Sequence, residues 1–306
     1  MQLDPVVTQG LFFGAPGPAL KNGSPMFTLL EIMNEPLPIV TVLDMGAART
    51  GDKEIYSPLL KQGLARVVGF EPDESECAAL NQKFGPLNTY LPYVIFDGTR
   101  QRFHVTSFGL TSSLYEPDHD LRGKFHQLSE LAQVVRIEDV DTRRLDDIEE
   151  LKNGVDFIKS DVQGAEYEIY RHGPNVLRSA CIVHTEAHLL PVYKDQPLFS
   201  DQDRILRLYG YQFHKFFGFL GRPIKPIIMN KDPTKPISQL TQVDAVYVRQ
   251  FSSIEELPRE KVLKTALILH EVYRSYDLCH WVLTVFDRLA GQDVAERYLK
   301  RLTAMT

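Results

Sequence analysis

The stretch Val42-Leu-Asp-Met-Gly-Ala-Ala-Arg-Thr-Gly51 follows the β-branched run Ile39-Val-Thr. A short apolar run ending in an acidic residue, then small residues and two glycines, predicts a buried strand that turns into a helix. In a doubly wound sheet the first such turn is where a nucleotide-like ligand lies. Small side chains let the backbone approach the ligand, and the helix beyond offers free N–H groups. Asp44, Gly46, Ala47 and Gly51 are therefore the first candidate ligand-binding residues.

Downstream, the pattern repeats. Arg66–Phe70, Tyr90–Phe96, Gln133–Ile137, Val155–Ser160 and Ala180–Glu186 read as strands. Arg102–Ser107 is expected to pair with Tyr90–Phe96 as a hairpin. Helical patterns occupy Ile55–Lys61, Glu74–Phe84, Leu145–Leu151, Tyr167–Leu177 and Asp201–Tyr209. Tyr211–Lys215 and Val243–Arg249 read as a closing pair, suited to an antiparallel edge. Strands alternating with helices imply an α/β fold: a mostly parallel sheet with helices on both faces. Upstream, residues 1–38 form a Gly- and Pro-punctuated leader, with at most a helical turn or two over Met26–Met33. The strand pattern stops at Phe251, and residues 251–306 read as a helical C-terminal appendage around a core of residues 39–250. Its apolar faces suit packing on that core, with a homodimer or partner surface as the alternative.

Composition narrows the function classes. Apolar residues make up 43% and charged residues 24% of the 306 residues, ordinary globular usage. A net charge of −6 argues against nucleic acid as partner. No apolar run approaches the ~18 residues of a membrane span. Cys77, Cys181 and Cys279 form no CxxC pair, which fits reduced thiols in a cytoplasmic protein.

Three ligands compete for the glycine loop. The dinucleotide fingerprint GxGxxG fails at Ala48, and a phosphate loop fails because Asp52 stands where its lysine belongs. S-adenosylmethionine carries an ammonium and a sulfonium but no phosphate, and it suits Asp44 better. The second strand runs Arg66-Val-Val-Gly-Phe-Glu71, and a carboxylate there can accept both ribose hydroxyls. Glu71 alone does not separate S-adenosylmethionine from a dinucleotide. A nicotinamide oxidoreductase therefore stays open, as does a module that binds such a cofactor without catalysis and uses the C-terminal helices as its interface.

Five stretches occur in order: Val42-Leu-Asp-Met-Gly-Ala, Gly69-Phe-Glu-Pro72, Thr111-Ser-Ser-Leu114, Arg144-Leu-Asp-Asp147 and Asp156-Phe-Ile-Lys-Ser-Asp-Val-Gln-Gly-Ala-Glu166. Together they resemble the FkbM family of S-adenosylmethionine-dependent methyltransferases, over about residues 39–249. Ala48 stands where that family usually has asparagine. The resemblance implies a class I methyltransferase (Rossmann-like) fold and methyl transfer to a hydroxyl of a sugar, glycan or polyketide-type small molecule. It implies that Asp44, Gly46 and Ala47 line the methionine side of the cofactor, that Glu71 holds the ribose, and that Asp97 sits near the adenine.

Methyl transfer to an alcohol needs an oxygen held in line with the methyl group and a base for its proton. Strand ends supply Asp161, His184 and Glu186 as catalytic candidates. Asp161 is the expected orienting or basic group, with Glu186 or His184 as its partner; its alternative is a helix cap. Lys159 alternates with Asp161 and reads as an ion-pair partner. His184, Glu186 and His188 share one strand face and carry metal-ligand chemistry, but the expectation is that no metal is used. Thr111, Ser112 and Ser113 either meet the acceptor or cap a turn.

Overall fold

A computed structural model describes residues 27–47 and 54–304. Gly51 lies outside the described residues, as does most of the leader.

The first strand, β1 (Val40–Met45), is buried along its whole length. Val40 and Val42 enter one apolar cluster, while Leu43 and Met45 enter another on the opposite face. This two-sided burial explains the continuous apolar run. On one side β1 pairs in parallel with β2 (Ala65–Phe70), which pairs with β3 (Thr89–Leu91). On the other side it pairs in parallel with β7 (Phe157–Ser160), followed by β8 (Ile182–His188). β9 (Tyr211–Gly221) and β10 (Leu240–Arg249) close the seven-stranded sheet as an antiparallel pair, in the order β3-β2-β1-β7-β8-β10-β9. The fold is the α/β class expected. The strand order reverses between β1 and β7, so the crevice for a ligand opens at their carboxyl ends.

Four local expectations are corrected. The apolar run 90–96 is two strands, divided at Pro92, and β4 (Val94–Ile95) leaves the main sheet. β5 (Arg100–Thr106) does not pair with it. Both pair with β6 (Val134–Arg143) in a separate sheet of order β4-β6-β5. The expected helix over 145–151 is two 3-10 turns, Leu145–Asp147 and Glu149–Leu151, interrupted by extended Ile148. The helix over 167–177 is likewise split, into Glu166–Arg171 and Pro174–Ser179, because Pro174 lacks the N–H that would continue it.

The C-terminal stretch forms helices Phe251–Glu255, Arg259–Leu267, Tyr276–Ala290 and Val294–Thr303, with a π-helical turn at Ile268–Val272. Gly291, at φ +65°, ends the longest of them. Their apolar residues join Phe27, Leu29, Val40, Val42 and Phe157 in one cluster. Polar anchors reinforce the packing. Buried Asp156, just before β7, accepts from Thr41 N (2.8 Å) and pairs with Lys261 (2.6 Å) and Lys264 (3.1 Å). Buried Glu271 accepts from Leu29 N and from Gln62, both at 2.8 Å. Cys77, Cys181 and Cys279 are buried free thiols.

Candidate active site

Register aligns the polar residues of the sheet. Asp44 lies opposite Lys159, Lys159 opposite His184, and Glu186 opposite Asp244. Asp44 is 1% exposed. Its carboxylate accepts from the Tyr56 hydroxyl (2.6 Å) and pairs with Lys159 (3.2 Å), whose ammonium also donates to Gly46 O (3.2 Å). Lys159 is therefore the ion-pair partner its spacing suggested.

Gly46 turns the chain at φ +91°, and a Cβ there would stand 2.0 Å from the Asp161 carbonyl oxygen. The β1 loop and the end of β7 touch backbone to backbone at this point, and a side chain on residue 46 would force them apart. Asp161 N donates to Met45 O (3.0 Å), extending the β1–β7 ladder by one bond.

Gly46 and Asp161 line a cavity of about 1060 Å³, with Glu71, Lys159, Gln163, His188 and Gln242. Asp44 and Ala47 instead line an adjacent cavity of about 330 Å³, with Glu54, Tyr56 and Tyr90. The candidates at the glycine loop are thus brought together on the two sides of one turn. Asp97 is not brought to either lining: its carboxylate is occupied by Thr99 N and Oγ1 (both 2.8 Å), Gln101 (3.2 Å) and Thr142 (3.3 Å).

At the other end of the large cavity, Gln163 holds two carboxylates at once. Its side-chain amide donates to Asp161 (2.8 Å) and to Glu186 (3.1 Å), while its own oxygen lies 3.0 Å from the Tyr193 hydroxyl. Gln163 has φ +55°, a strained conformation for a side-chain-bearing residue. The Ser113 hydroxyl fixes it by donating to its backbone oxygen (2.7 Å), which gives that serine a supporting role. Glu186 is also hydrogen-bonded to Gln242.

The two histidines differ. The expected acceptor histidine, His184, lines neither cavity and sits 3.1 Å from the Tyr273 hydroxyl of the C-terminal stretch. His188 lines the cavity instead, because β8 runs two residues further than expected. Burial holds both near pKa 3, so both are neutral. Among the described residues no three His, Cys, Asp or Glu side chains are arranged to hold a metal.

Electrostatically the site carries excess negative charge. Burial, then neighbouring Asp161, raises Glu186 well above the usual carboxylate range and Asp244 to about 6. Burial, then Asp44, raises Glu54 to about 7. Lys159 opposes all three shifts. Glu166, in the first turn after Asp161, is raised to about 7 by burial. Such a set favours a cationic ligand over a phosphate.

The methyltransferase FkbM domain matches residues 44–213, more than half of the chain. The chain belongs to the FkbM methyltransferase family. The match runs from Asp44 to Phe213 and so takes in Glu71, Asp161, Gln163 and Glu186. Within curated proteins, this FkbM chain is 29% identical over 182 residues to the 2-O-methyltransferase NoeI of Sinorhizobium fredii, covering 57% of this chain and 70% of NoeI. A solved Thermoplasma acidophilum structure described as a candidate methyltransferase aligns over 70% of each chain at 10% identity, with a TM-score of 0.33, too remote to bear on the reading.

Sequence reasoning did not single out Gln163, Gln242, Asp244, Glu54 or Tyr56. Gln163 sits inside the motif that carried the family resemblance, and its place between two acids and a glycine was the available signal. Gln242 and Asp244 become visible only through the antiparallel register of β8 and β10. No helix among the described residues is long and apolar enough to cross a membrane.

Proposed function

We propose that this methyltransferase uses S-adenosylmethionine to methylate a hydroxyl oxygen of a sugar, glycan or polyketide-type small molecule. The observation that carries the reading is the under-neutralised carboxylate set at the β1–β7 switch point, of which Asp161 lines the cavity of about 1060 Å³ and Asp44 and Glu54 line the smaller one. A cofactor that is cationic at sulfur and at its amino group fits this donor set, and the Gly46 turn leaves backbone rather than side chain facing it. When bound, S-adenosylmethionine supplies an electrophilic methyl carbon. Asp44, Gly46 and Ala47 would hold its methionine end, and Glu71, at the end of β2, would take the ribose hydroxyls.

On the acceptor side, Asp161 would orient the acceptor hydroxyl and take its proton. Gln163 fixes the Asp161 carboxylate by its amide N–H (2.8 Å). Burial, then Asp161, raises Glu186 well above the usual carboxylate range, which weakens its charge beside the base. The 2-O-methyltransferase activity in NoeI's name supports oxygen as the methylated atom.

Calorimetric titration of S-adenosylhomocysteine tests the cofactor half. Binding that weakens in both Asp44→Ala and Glu71→Ala is expected. Unchanged affinity in both variants, or no binding by the unaltered chain, refutes it. A radiolabelled methyl screen over sugars, lipid-linked glycans and hydroxylated metabolites tests the acceptor half. Cofactor binding with no transfer to any acceptor would favour a silent binding module.

A further inference from the structure

The hairpin joining β9 to β10 differs in composition from the rest of the chain. Between Gly221 and Gln239, four cations (Arg222, Lys225, Lys231 and Lys235) stand against one acid, Asp232, in a chain of net charge −6. Among the described residues, the one acid paired with them from outside the loop is Glu130, 3.4 Å from Lys225. In the same segment Ile224, Ile227, Ile228, Met229 and Ile237 are exposed, Ile227 by 60% and Met229 by 54%. Exposed aliphatics are ordinary when scattered, but five on one loop among cations are not. Pro223, Pro226, Pro233 and Pro236 also remove N–H donors from this loop. Fewer donors lower the cost of entering a medium without water.

The loop is tied beside the mouth of the large cavity. Lys225 N donates to Lys124 O (2.8 Å), and His126 N donates to Pro223 O (3.2 Å). Leu220 and Arg222, at its root, line the cavity together with exposed Phe108 and Leu110.

We infer that this loop seats the protein on an anionic lipid surface, its aliphatic side chains entering the headgroup boundary and its lysines meeting the phosphates. Aliphatic anchors interleaved with cations are what such surfaces bind. A second copy docked symmetrically on the same loop would set its cations against themselves. Seated this way, the cavity mouth faces the headgroups, where an acceptor with a long apolar portion is presented. That last point rests on the methyl-transfer reading, whereas the seating itself does not.

Sedimentation of the full chain with vesicles tests the inference. Binding is expected to vesicles of phosphatidylcholine mixed with phosphatidylglycerol, weaker to phosphatidylcholine alone, and weakened by salt. Lys225→Gln and Lys231→Gln should each reduce partitioning about fivefold. The double variant Ile227→Asp with Ile228→Asp should lose binding while its thermal unfolding midpoint stays unchanged, since both side chains are exposed. No sedimentation of the unaltered chain with anionic vesicles, or equal sedimentation of the double variant, overturns the inference. So does a dimer in light scattering that the double variant dissolves, without vesicle binding. Absent S-adenosylhomocysteine binding would refute the cofactor reading and leave the vesicle result standing.

Discussion

β7 has an aspartate beyond each end, and the two do opposite things. At its start, buried Asp156 meets two lysines and a backbone N–H. At its finish, Asp161 joins Asp44, Glu54, Glu186 and Asp244 around Lys159. One end neutralises its charge and ties the C-terminal helices to the sheet. The other leaves negative charge uncompensated at the mouth of a crevice. A charge that is fully partnered in the folded chain serves the fold, while a cluster that remains short of partners is held in place by the fold for something else to bind.

Mutation of the two ends should separate these roles. Asp156→Ala leaves the Thr41 N–H without its acceptor and takes the buried counter-charge from Lys261 and Lys264, which keep only Glu260 and two backbone carbonyls. Removing one member of a buried ion pair costs about 3–5 kcal/mol. Urea unfolding should record that loss, while S-adenosylhomocysteine affinity of the remaining folded protein holds. A fall in affinity with no fall in stability would erase the contrast. Asp161→Asn keeps the shape and removes the proposed base. Methyl transfer should drop about a hundredfold or more, with the unfolding midpoint nearly unchanged. Full activity in this variant would take Asp161 out of the proton's path.

Gln163→Ala should have a smaller effect, because it disturbs the position of Asp161 rather than its chemistry. Loss of a hydrogen bond to a charged group costs about 1.5–3 kcal/mol, or roughly tenfold or more in turnover. Binding of S-adenosylhomocysteine should stay within about twofold. Gln163→Glu, which lacks the donating amide, should not restore turnover. Equal losses in binding and turnover would make Gln163 part of the cofactor site instead.

How far the sequence reaches is visible at the same strand. An aspartate on either side of Phe-Ile-Lys-Ser was legible, as were the glycine turn and Glu71, since each depends on neighbours a few residues away. What distinguishes the two aspartates was not. Lys261 and Lys264 lie about a hundred residues downstream of Asp156, and nothing local announces them. The same limit explains β5, whose partner is β6 rather than the nearer run. His184 and His188 share one face by period-two alternation, yet which of them reaches the cavity depends on where β8 stops. Tyr273, which fixes His184, comes from helices outside the family match. Patterns of period gave the elements and the motif gave the rim, but long-range pairing decided which rim residues are free to act.

The smallest expected effect is on stability, and its sign depends on pH. Glu166 is buried, with one oxygen accepting from Val162 N (2.9 Å), and burial raises it from the ordinary 4.5 to about 7. An acid whose pKa is raised by folding stays protonated in the native chain over a range where the unfolded chain has released its proton. Stability then falls as pH rises from about 4.5 through about 7, and stays lowered above it. Glu166→Gln keeps the accepting oxygen and cannot ionise. It should match the unaltered chain at pH 4 and exceed it by roughly 1–3 kcal/mol at pH 8. A stability difference that does not change with pH would mean that the carboxyl is ionised in the folded protein. Glu166 would then belong with the acids that a cationic ligand must neutralise, and the contrast between the ends of β7 would be larger by one charge.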